Sequence, residues 1–301
     1  PAASEMVASS FCDNGASQLA FCNYGQRAFV VNENTRSVDI INFGDLGNPV
    51  QISDGIGGFL SISPDDMLDE FTLLGVDVES LVPSDVDIFN MGTINNLVAV
   101  AWINTSDLTS DGWVTLHNTD GILFNEPEAI QQVGPTPRSL AFSPDGAWLV
   151  VACSGEGEYE TLDPMAEIVC IEVHSLATEP YDWGDVLGHS FDFDDGPHIV
   201  GGGPLTITGY ASRTTEYFPS TDLSLELEPS HVAITPDNRA FVNCQVNNTL
   251  VEVNLGNVIS GLNVIQGAYG FGYRDMSSGN GFDGIYDEFA TVATPNPGTI
   301  L

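Results

Sequence analysis

The chain has 301 residues, of which 43% are hydrophobic, so it can bury a sizeable core and is not globally disordered. Its 42 acidic residues, against six arginines and no lysine, give a net charge of −36. That charge excludes nucleic acid and anionic lipid as partners, and the lack of any run of about 18 apolar residues argues against membrane insertion. Three explanations of the acidity stay open: solvation in high salt, a cation-binding surface, or charge that opposes aggregation.

A short phrase of sequence recurs along the chain and predicts its architecture. Residues 27–30 (Arg-Ala-Phe-Val) recur as residues 239–242, and a related phrase occupies residues 139–151. Pro-Asp-Gly at 144–146 and Pro-Asp-Asn at 236–238 separate apolar runs, and such turns form because proline presets φ while glycine or asparagine tolerates a positive φ. Each repeat therefore begins with strand, tight turn and strand. The predicted third strands are Ser37–Asn42, 166–173 and Thr249–Asn254, and a weaker copy of the repeat lies at 96–102 and 112–117.

The period of the apolar residues predicts an all-β fold. Apolar residues alternate at period two, and only residues 65–74 have the pattern of a short helix. Repeats of about 40 residues with this strand pattern are typical of a β-propeller of four-stranded antiparallel blades. A β-sandwich is the main alternative, but it would not repeat one phrase three times. We predict that residues 1–301 form a single β-propeller domain or a large part of one, with blades near 11–55, 85–130, 134–176 and 228–266 and long insertions at 56–84 and 177–227.

Five cysteines bear on the cellular compartment. Cys12 and Cys22 flank the entry to the first predicted strand, and Cys153 and Cys170 lie in consecutive predicted strands. We predict the disulfides Cys12–Cys22 and Cys153–Cys170, with Cys244 left over, which would put the protein in an oxidising, extracellular compartment. The start of the chain has no basic or apolar leader, so we expect any signal peptide to have been removed. The alternative is five buried free thiols in a cytosolic protein.

The phrases, in this order, resemble the choice-of-anchor I domain family, whose relatives include proteins described as mesenchyme-specific cell surface glycoproteins. The resemblance implies a secreted, seven-bladed propeller displayed on cell surfaces. Because only four blades are recognisable, we expect this chain to hold part of the propeller; the alternative is that the insertions at 56–84 and 177–227 contain degenerate blades that close the ring. At residues 153–157 the family's Asn-Glu-Gly-Glu-Pro is replaced by Cys-Ser-Gly-Glu-Gly, so that only Gly155 and Glu156 match. The matching segments are 28–32, 37–40, 96–101, 137–146, 149–152, 227–229, 232–234, 272–275 and 279–283.

Acidic loops predict a calcium site. In a propeller, the loop after the second strand of each blade and the connection to the next blade emerge on one face, and carboxylates that converge with backbone carbonyls suit Ca²⁺. We predict that Ca²⁺ ligands are drawn from Glu156, Glu228, Asp275 and Asp283. A solvated acidic rim without a specific ion is the alternative. The other residues expected on this rim are Glu33, Asn34, Asp107, Asp111, Glu158, Glu160, Asp163 and Asp287.

Motifs of common catalytic centres are missing from the sequence. The five histidines have no zinc-ligand spacing, no Gly-x-Ser-x-Gly elbow is present, and the glycines at 201–203 are not followed by Lys-Ser/Thr. We therefore predict no catalytic residue and a non-catalytic structural or adhesive module, with a metal-dependent phosphoesterase of propeller type as the alternative. The expected partners are other protein subunits, or a second fragment of the same propeller, and surface glycans. N-glycosylation sequons begin at Asn104 and Asn247.

Overall fold

Antiparallel strands dominate the computed structural model of this protein. The chain forms two compact units, one of residues 1–106 with 113–131 and the other of residues 107–112 with 132–301. In the part of the chain that the structure describes, no helix is long and apolar enough to cross a membrane. The structure describes residues 15–22, 27–43, 50–52, 60–90, 96–118, 126–155, 166–173, 187–192, 228–244, 249–255, 258–259, 264–265, 272–275 and 289–291.

Blade 1 is an antiparallel meander whose last strand is divided. Its strands are β1 (Ala16–Cys22), β2 (Arg27–Asn32), β3 (Ser37–Asn42), β4 (Val50–Gln51) and β5 (Ser61–Ile62). Strands β1, β2 and β3 pair in order, and β4 and β5 then pair with opposite ends of β3. The third strand predicted from sequence is confirmed.

A helical insertion links blade 1 to the next sheet. A 3-10 turn at Pro64–Met67 leads into the helix α1 (Leu68–Leu73), and a second 3-10 turn occupies Val78–Ser80. The helix predicted over 65–74 is therefore present. Met67, Phe71 and Val78 are buried, so the insertion supplies part of the core of the first unit.

Blade 2 follows at once and carries the longest strands. It consists of β6 (Leu81–Asn90), β7 (Asn96–Asn104), β8 (Asp111–Asn118) and β9 (Ala129–Pro135), paired in that order. Because β6 begins at Leu81, the last four residues of the insertion predicted at 56–84 belong to a strand. Strands β7 and β8 contain the weaker copy of the repeat.

Blade 3 contains the Pro-Asp-Gly turn. Its strands are β10 (Pro137–Phe142), β11 (Trp148–Cys153), β12 (Glu167–Glu172) and β13 (Leu187–Asp192), paired in chain order. Gly146 has a φ of 71°, a conformation that favours glycine. The Ser143 hydroxyl donates to the Asp145 carboxylate at 2.6 Å and accepts from the Trp148 amide at 2.9 Å, which closes the hairpin. Strand β13 lies within the insertion predicted at 177–227.

Blade 4 repeats the same arrangement. Its strands are β14 (Pro229–Ile234), β15 (Arg239–Cys244), β16 (Thr249–Asn254), β19 (Gly272–Asp275) and β20 (Phe289–Thr291), and a two-stranded ribbon of β17 (Val258–Ile259) and β18 (Val264–Ile265) lies between β16 and β19 in the chain. Asn238, at the tight turn, has a φ of 58° and donates to the Asp145 carboxylate of blade 3 at 2.6 Å. The turns of neighbouring blades are thus hydrogen-bonded to each other.

In the first unit, the blades pack face to face. Strand alternation puts Phe29, Val31 and Ile40 on the face of blade 1 that meets blade 2, where Val100 and Trp102 are buried. The first strands of the two blades, β1 and β6, lie side by side. Each large side chain buried here contributes about 1.5–3 kcal/mol through the hydrophobic effect.

The two blades of the second unit also pack face to face. Trp148, Val150 and Cys170 of blade 3 pack against Val242 and Leu255 of blade 4, and the first strands β10 and β14 are again neighbours. Consecutive antiparallel sheets of four or five strands with adjacent first strands are typical of the blades of a β-propeller, so this part of the fold prediction is confirmed. Seven blades and a single domain stay predictions.

Candidate functional site

The turn between β2 and β3 is the first part of the predicted rim. Glu33 and Asn34 are exposed there, as expected. Behind them lies a buried polar group, in which the Asn32 Nδ2 atom and the Ser37 hydroxyl each donate to the Asp39 carboxylate at 3.1 Å. The buried carboxylate is thereby satisfied by its own turn, so this network holds the turn in shape.

The Arg36 side chain ties the same turn to the helical insertion. Arg36 has a φ of 55°, and its guanidinium donates to the Val78 carbonyl at 3.0 Å and lies 3.7 Å from the Asp65 carboxylate. One of only six arginines in the chain is therefore committed to positioning the insertion.

The turn between β7 and β8 presents exposed carboxylates. Asp107 accepts hydrogen bonds from the hydroxyls of Thr109 at 2.6 Å and Ser110 at 2.7 Å, and these bonds hold the pKa of Asp107 below its ordinary value. Asp111 accepts from the Gln132 amide at 2.6 Å. Both acids predicted for this turn lie at its surface, where their oxygens already accept hydrogen bonds from neighbouring side chains.

The end of β11 is where the chain departs from the family motif. Gly155 has a φ of 66°, and its amide donates to the Pro135 carbonyl at 3.3 Å. This backbone conformation favours glycine, which explains why the motif glycine is kept at this position. A Cβ atom on Gly134 would lie 2.9 Å from the Glu167 carboxylate and 3.1 Å from the Cys153 Cβ, so β9 approaches this end closely. Glu156, the next motif residue, lies outside the described residues.

The structure describes the backbone of two of the four predicted calcium ligands. Glu228 is half-buried just before β14, and Asp275 ends β19. One row of the blade 4 sheet joins Pro229, Cys244, Thr249 and Asp275, so the two acids lie at the same end of the sheet. They are three strands apart, about 14 Å at the usual strand spacing. Asp283, like Glu156, lies outside the described residues, and the described residues form no group of three or more potential metal ligands.

The Cys153–Cys170 disulfide predicted from sequence is wrong, since both residues are free buried thiols. Cys170 pairs across the ladder with Val150, whereas Cys153 pairs with Glu167. The two cysteines therefore point to opposite faces of blade 3 and are offset by about 10 Å along the strands, beyond the roughly 4.4–6.8 Å that a disulfide spans. Cys12 lies outside the described residues, so its pairing with Cys22 stays a prediction.

The buried thiols are poor nucleophiles. Burial raises the pKa of Cys153 well above its ordinary value, and the negative charges of Glu167 and Asp111 add to that rise. Burial likewise raises the pKa of Cys170 and of Cys244. Because the thiolate is the reactive species, burial and the raised pKa both lower the reactivity of these cysteines.

One buried polar cluster in blade 2 was not predicted. The Trp102 indole nitrogen donates to the Thr115 hydroxyl at 2.8 Å, and the same hydroxyl lies 2.8 Å from the His117 Nε2 atom. All three residues are buried. In sequence they are only a tryptophan and alternate residues of the following strand, and that pattern does not distinguish a cluster from ordinary core.

The sequon at Asn104 lies at the end of β7. Its side-chain oxygen accepts from the Ser106 amide at 3.1 Å and from the Ser106 hydroxyl at 2.8 Å, within an exposed turn. Asn247 lies outside the described residues. Glycosylation at both positions stays a prediction.

Comparison with known proteins identifies the family. The chain is similar to a protein of unknown function from Bacteroides caccae (12% identity, TM-score 0.40, covering 86% of this chain and 69% of that one). It is also similar to the Cps50 (Swd1) β-propeller domain of Myceliophteria thermophila (9%, 0.43, 80% and 70%) and to a Lactobacillus plantarum protein (12%, 0.46, 81% and 55%). No curated protein matches the chain. The family model described as the choice-of-anchor I domain matches residues 17–287, and the chain belongs to this family.

Proposed function

We propose that this chain is a non-catalytic structural or adhesive module of an extracellular or cell-surface assembly. The observation that carries the proposal is the match of residues 17–287 to the choice-of-anchor I domain, a name that implies display at the cell surface. Secretion would also suit a chain with a net charge of −36, because such charge keeps an exposed protein soluble.

The use of polar and nucleophilic groups inside the blades supports a non-catalytic role. The thiols of Cys153, Cys170 and Cys244 are buried with raised pKa values. Thr115 and His117 are completely buried, which keeps them from a substrate. These buried side chains thus serve packing, and no observation on the described residues favours the metal-dependent phosphoesterase.

The partners that we propose are other protein subunits, or a second fragment of the same propeller, and surface glycans. The open sheet edges of an incomplete propeller would template aggregation, and a partner that covers them removes this hazard. Exposed acids of the loop turns, such as Asp107 and Asp111, suit the hydroxyl groups of glycans.

We also propose that calcium binds at the end of blade 4, with Glu228 or Asp275 among its ligands. Both acids lie at this end of the sheet, and oxygen ligands are what Ca²⁺ prefers. Since the two are about 14 Å apart, the remaining ligands come from other residues, for which Glu156 and Asp283 are the candidates. Extracellular calcium modules have dissociation constants of about 10⁻⁴–10⁻³ M.

The calcium proposal is tested by thermal unfolding. With 10 mM Ca²⁺ the free energy of unfolding should rise by about 1.4–2.7 kcal/mol over the value in EDTA, by mass action. The comparison uses NaCl of matched ionic strength, because any cation screens the acidic surface. Glu228→Gln and Asp275→Asn should reduce the rise, whereas Asp107→Asn, a matched change at another turn, should not. A melting curve indifferent to Ca²⁺ contradicts the proposal.

An activity screen separates the module from the phosphoesterase. The purified chain is incubated with generic phosphoesters in Ca²⁺ and in EDTA. No turnover above a heat-denatured control is expected. Turnover that EDTA abolishes would overturn the non-catalytic assignment.

A further inference from the structure

Blade 1 has a strand face that is apolar and only partly covered. We call it the outer face of blade 1; it is directed away from blade 2 and consists of Leu19, Phe21, Ala28, Val30, Ile41 and Phe43. Ala28, Val30 and Ile41 are buried, but Leu19 is 56% and Phe21 57% exposed. The Phe21 ring lies 5.8 Å from the Phe43 ring, so the exposed pair continues the buried cluster.

The internal repeat identifies the matching face of blade 4. Residues 27–30 align with residues 239–242, so Ala28 and Val30 correspond to Ala240 and Val242. The first ladders agree, because Leu19 pairs with Val30 as Val232 pairs with Val242. By the same register, Phe21, Ile41 and Phe43 correspond to Ile234, Val253 and Leu255. All six positions are apolar in both blades.

In blade 4 the equivalent face is covered by blade 3. Val242 is buried in one cluster with Trp148 and Val150 of blade 3. Val232 and Ile234, which occupy the positions of the two exposed residues of blade 1, pack on that cluster. In blade 1 these two positions are more than half exposed, so its outer face has the composition of a covered face without the cover.

The face with which blade 3 covers blade 4 is the opposite face of the repeat. Residues 148–151 align with residues 27–30, so Val150 takes the position of Phe29, and alternate residues of a strand point to opposite sides of a sheet. Phe29 likewise packs against the blade that follows it, since it is buried in one cluster with Val100 and Trp102 of blade 2. In both units, therefore, the earlier blade presents this covering face to the later blade. The outer face of blade 1 is of the other kind, which receives a covering face.

Polar contacts accompany the apolar packing of blade 3 on blade 4. The Val232 amide donates to the buried Ser139 hydroxyl at 3.3 Å, and the Asn238 side chain donates to the Asp145 carboxylate at 2.6 Å. Leu19 has the position of Val232 in blade 1. A matching cover therefore brings a hydroxyl to the first strand as well as apolar side chains.

The face of blade 4 that is directed away from blade 3 lacks the composition of a covering face. Asn243 stands where blade 1 has the fully buried Val31, and Arg239 stands where blade 3 has Trp148. The Arg239 guanidinium lies over the Phe241 ring, 5.6 Å from its centroid. We therefore expect the cover of blade 1 from a blade other than the four described.

We propose that the outer face of blade 1 is the docking surface for a further blade of the same propeller, which lies against blade 1 as blade 3 lies against blade 4. The covering face of that blade carries bulky apolar side chains at the positions of Trp148 and Val150 and a hydroxyl at the position of Ser139. Burial of apolar surface drives the contact, and closure of the ring protects the sheets. The inference rests on the proposed partnership with a second part of the propeller, but not on display at the cell surface.

Thiol labelling of the native protein tests whether this face is covered. Leu19→Cys and, as the control, Leu73→Cys are introduced singly into the gene, and the product is purified without denaturation together with any chain that accompanies it. Leu73 is 89% exposed on α1. The new thiol at position 19 should react with a maleimide at least about 30-fold more slowly than the one at position 73, because a covered side chain reacts only through local opening. A smaller difference overturns the proposal. If Leu19→Cys exposes the buried Cys153 to labelling, and so disturbs the fold, Phe21→Cys replaces it.

Photocrosslinking identifies the cover. p-Benzoylphenylalanine in place of Phe21 keeps an aromatic side chain and, on irradiation, forms a covalent adduct with the C–H groups that it contacts. The adduct should map to a strand of a further four-strand repeat, either elsewhere in the same chain or in a second chain, and mixed heavy and light isotope labels tell these sources apart. Adducts on residues 15–43 of another copy, on a described strand of blade 4, or on a protein without such a repeat each overturn the proposal, as does the absence of any protein adduct.

The two measurements separate this inference from the proposals on which it depends. A second propeller fragment that co-purifies but is not crosslinked from position 21 would refute the docking surface and leave the partner proposal intact. Both measurements use purified protein, so their failure would leave display at the cell surface untouched.

Discussion

Replacing Thr115 by valine tests the buried polar cluster of blade 2. Valine keeps the shape of threonine but removes the hydroxyl that accepts from the Trp102 indole nitrogen and contacts the His117 imidazole, each at 2.8 Å. A buried donor left without its acceptor costs about 1–3 kcal/mol. At about 2–4 °C per kcal/mol, a loss of about 2 kcal/mol lowers the melting temperature by roughly 4–8 °C.

The assay is urea and thermal unfolding followed by far-ultraviolet circular dichroism, which reports chiefly on the backbone. Thr72→Val, an exposed position on α1, is the matched control and should change the free energy of unfolding by less than about 0.5 kcal/mol. In a Trp102→Phe background, Thr115→Val should cost less, because no indole N–H is left to satisfy. The reasoning is refuted if Thr115→Val lowers the free energy of unfolding no more than the control does, or by the same amount with and without Trp102→Phe.

Three further predictions follow from buried thiols, a turn carboxylate and a close strand approach. Cys153, Cys170 and Cys244 should resist a thiol reagent in the native protein and react only after unfolding, as mapped by peptide mass spectrometry; native labelling contradicts their burial. Although partial burial acts to raise the pKa of Asp145, hydrogen bonds outweigh it and hold the pKa below its ordinary value. Asp145→Ala should therefore lower the free energy of unfolding by at most about 1 kcal/mol at pH 7. Because this stabilisation depends on the charged carboxylate, the difference between the two proteins should disappear as the pH falls from about 4 through the lowered pKa of Asp145. A difference in urea unfolding that does not change with pH argues against this. Gly134→Ala should lower the free energy of unfolding by about 1–3 kcal/mol, because its Cβ would meet the neighbouring strand; unchanged stability would show that the strand yields.

Internal repetition made most of the strand order predictable from sequence. The motif shared by residues 27–30 and 239–242 aligned two repeats along the sequence. The predicted third strands, Ser37–Asn42 and Thr249–Asn254, coincide with β3 and β16. Strand β13 was missed because Leu187–Asp192 contains glycine and histidine within a Gly- and Asp-rich stretch, so its alternation is weak. Its pairing depends on β12, which sequence spacing alone does not reveal.

Side-chain direction limited the prediction of sites. Cys153 and Cys170 were correctly placed in consecutive strands, but predicting a disulfide between them needs the register of β11 and β12, and a shift of one residue moves a side chain to the other face. The structure places Glu228 and Asp275 at one end of the blade 4 sheet, but the distance between them depends on how many strands lie between them. Such quantities are set by tertiary pairing, not by local pattern.

The central claim, that this is a module displayed outside the cell, is tested most directly by proteolysis of intact producing cells. A protease that cleaves after both aspartate and glutamate suits the chain, because 42 acidic residues offer frequent sites whereas six arginines and no lysine offer trypsin few. Peptides from residues 17–287 should be released from intact cells or found in the medium, while those of a cytosolic protein are absent. Peptides that appear only after lysis would contradict the claim.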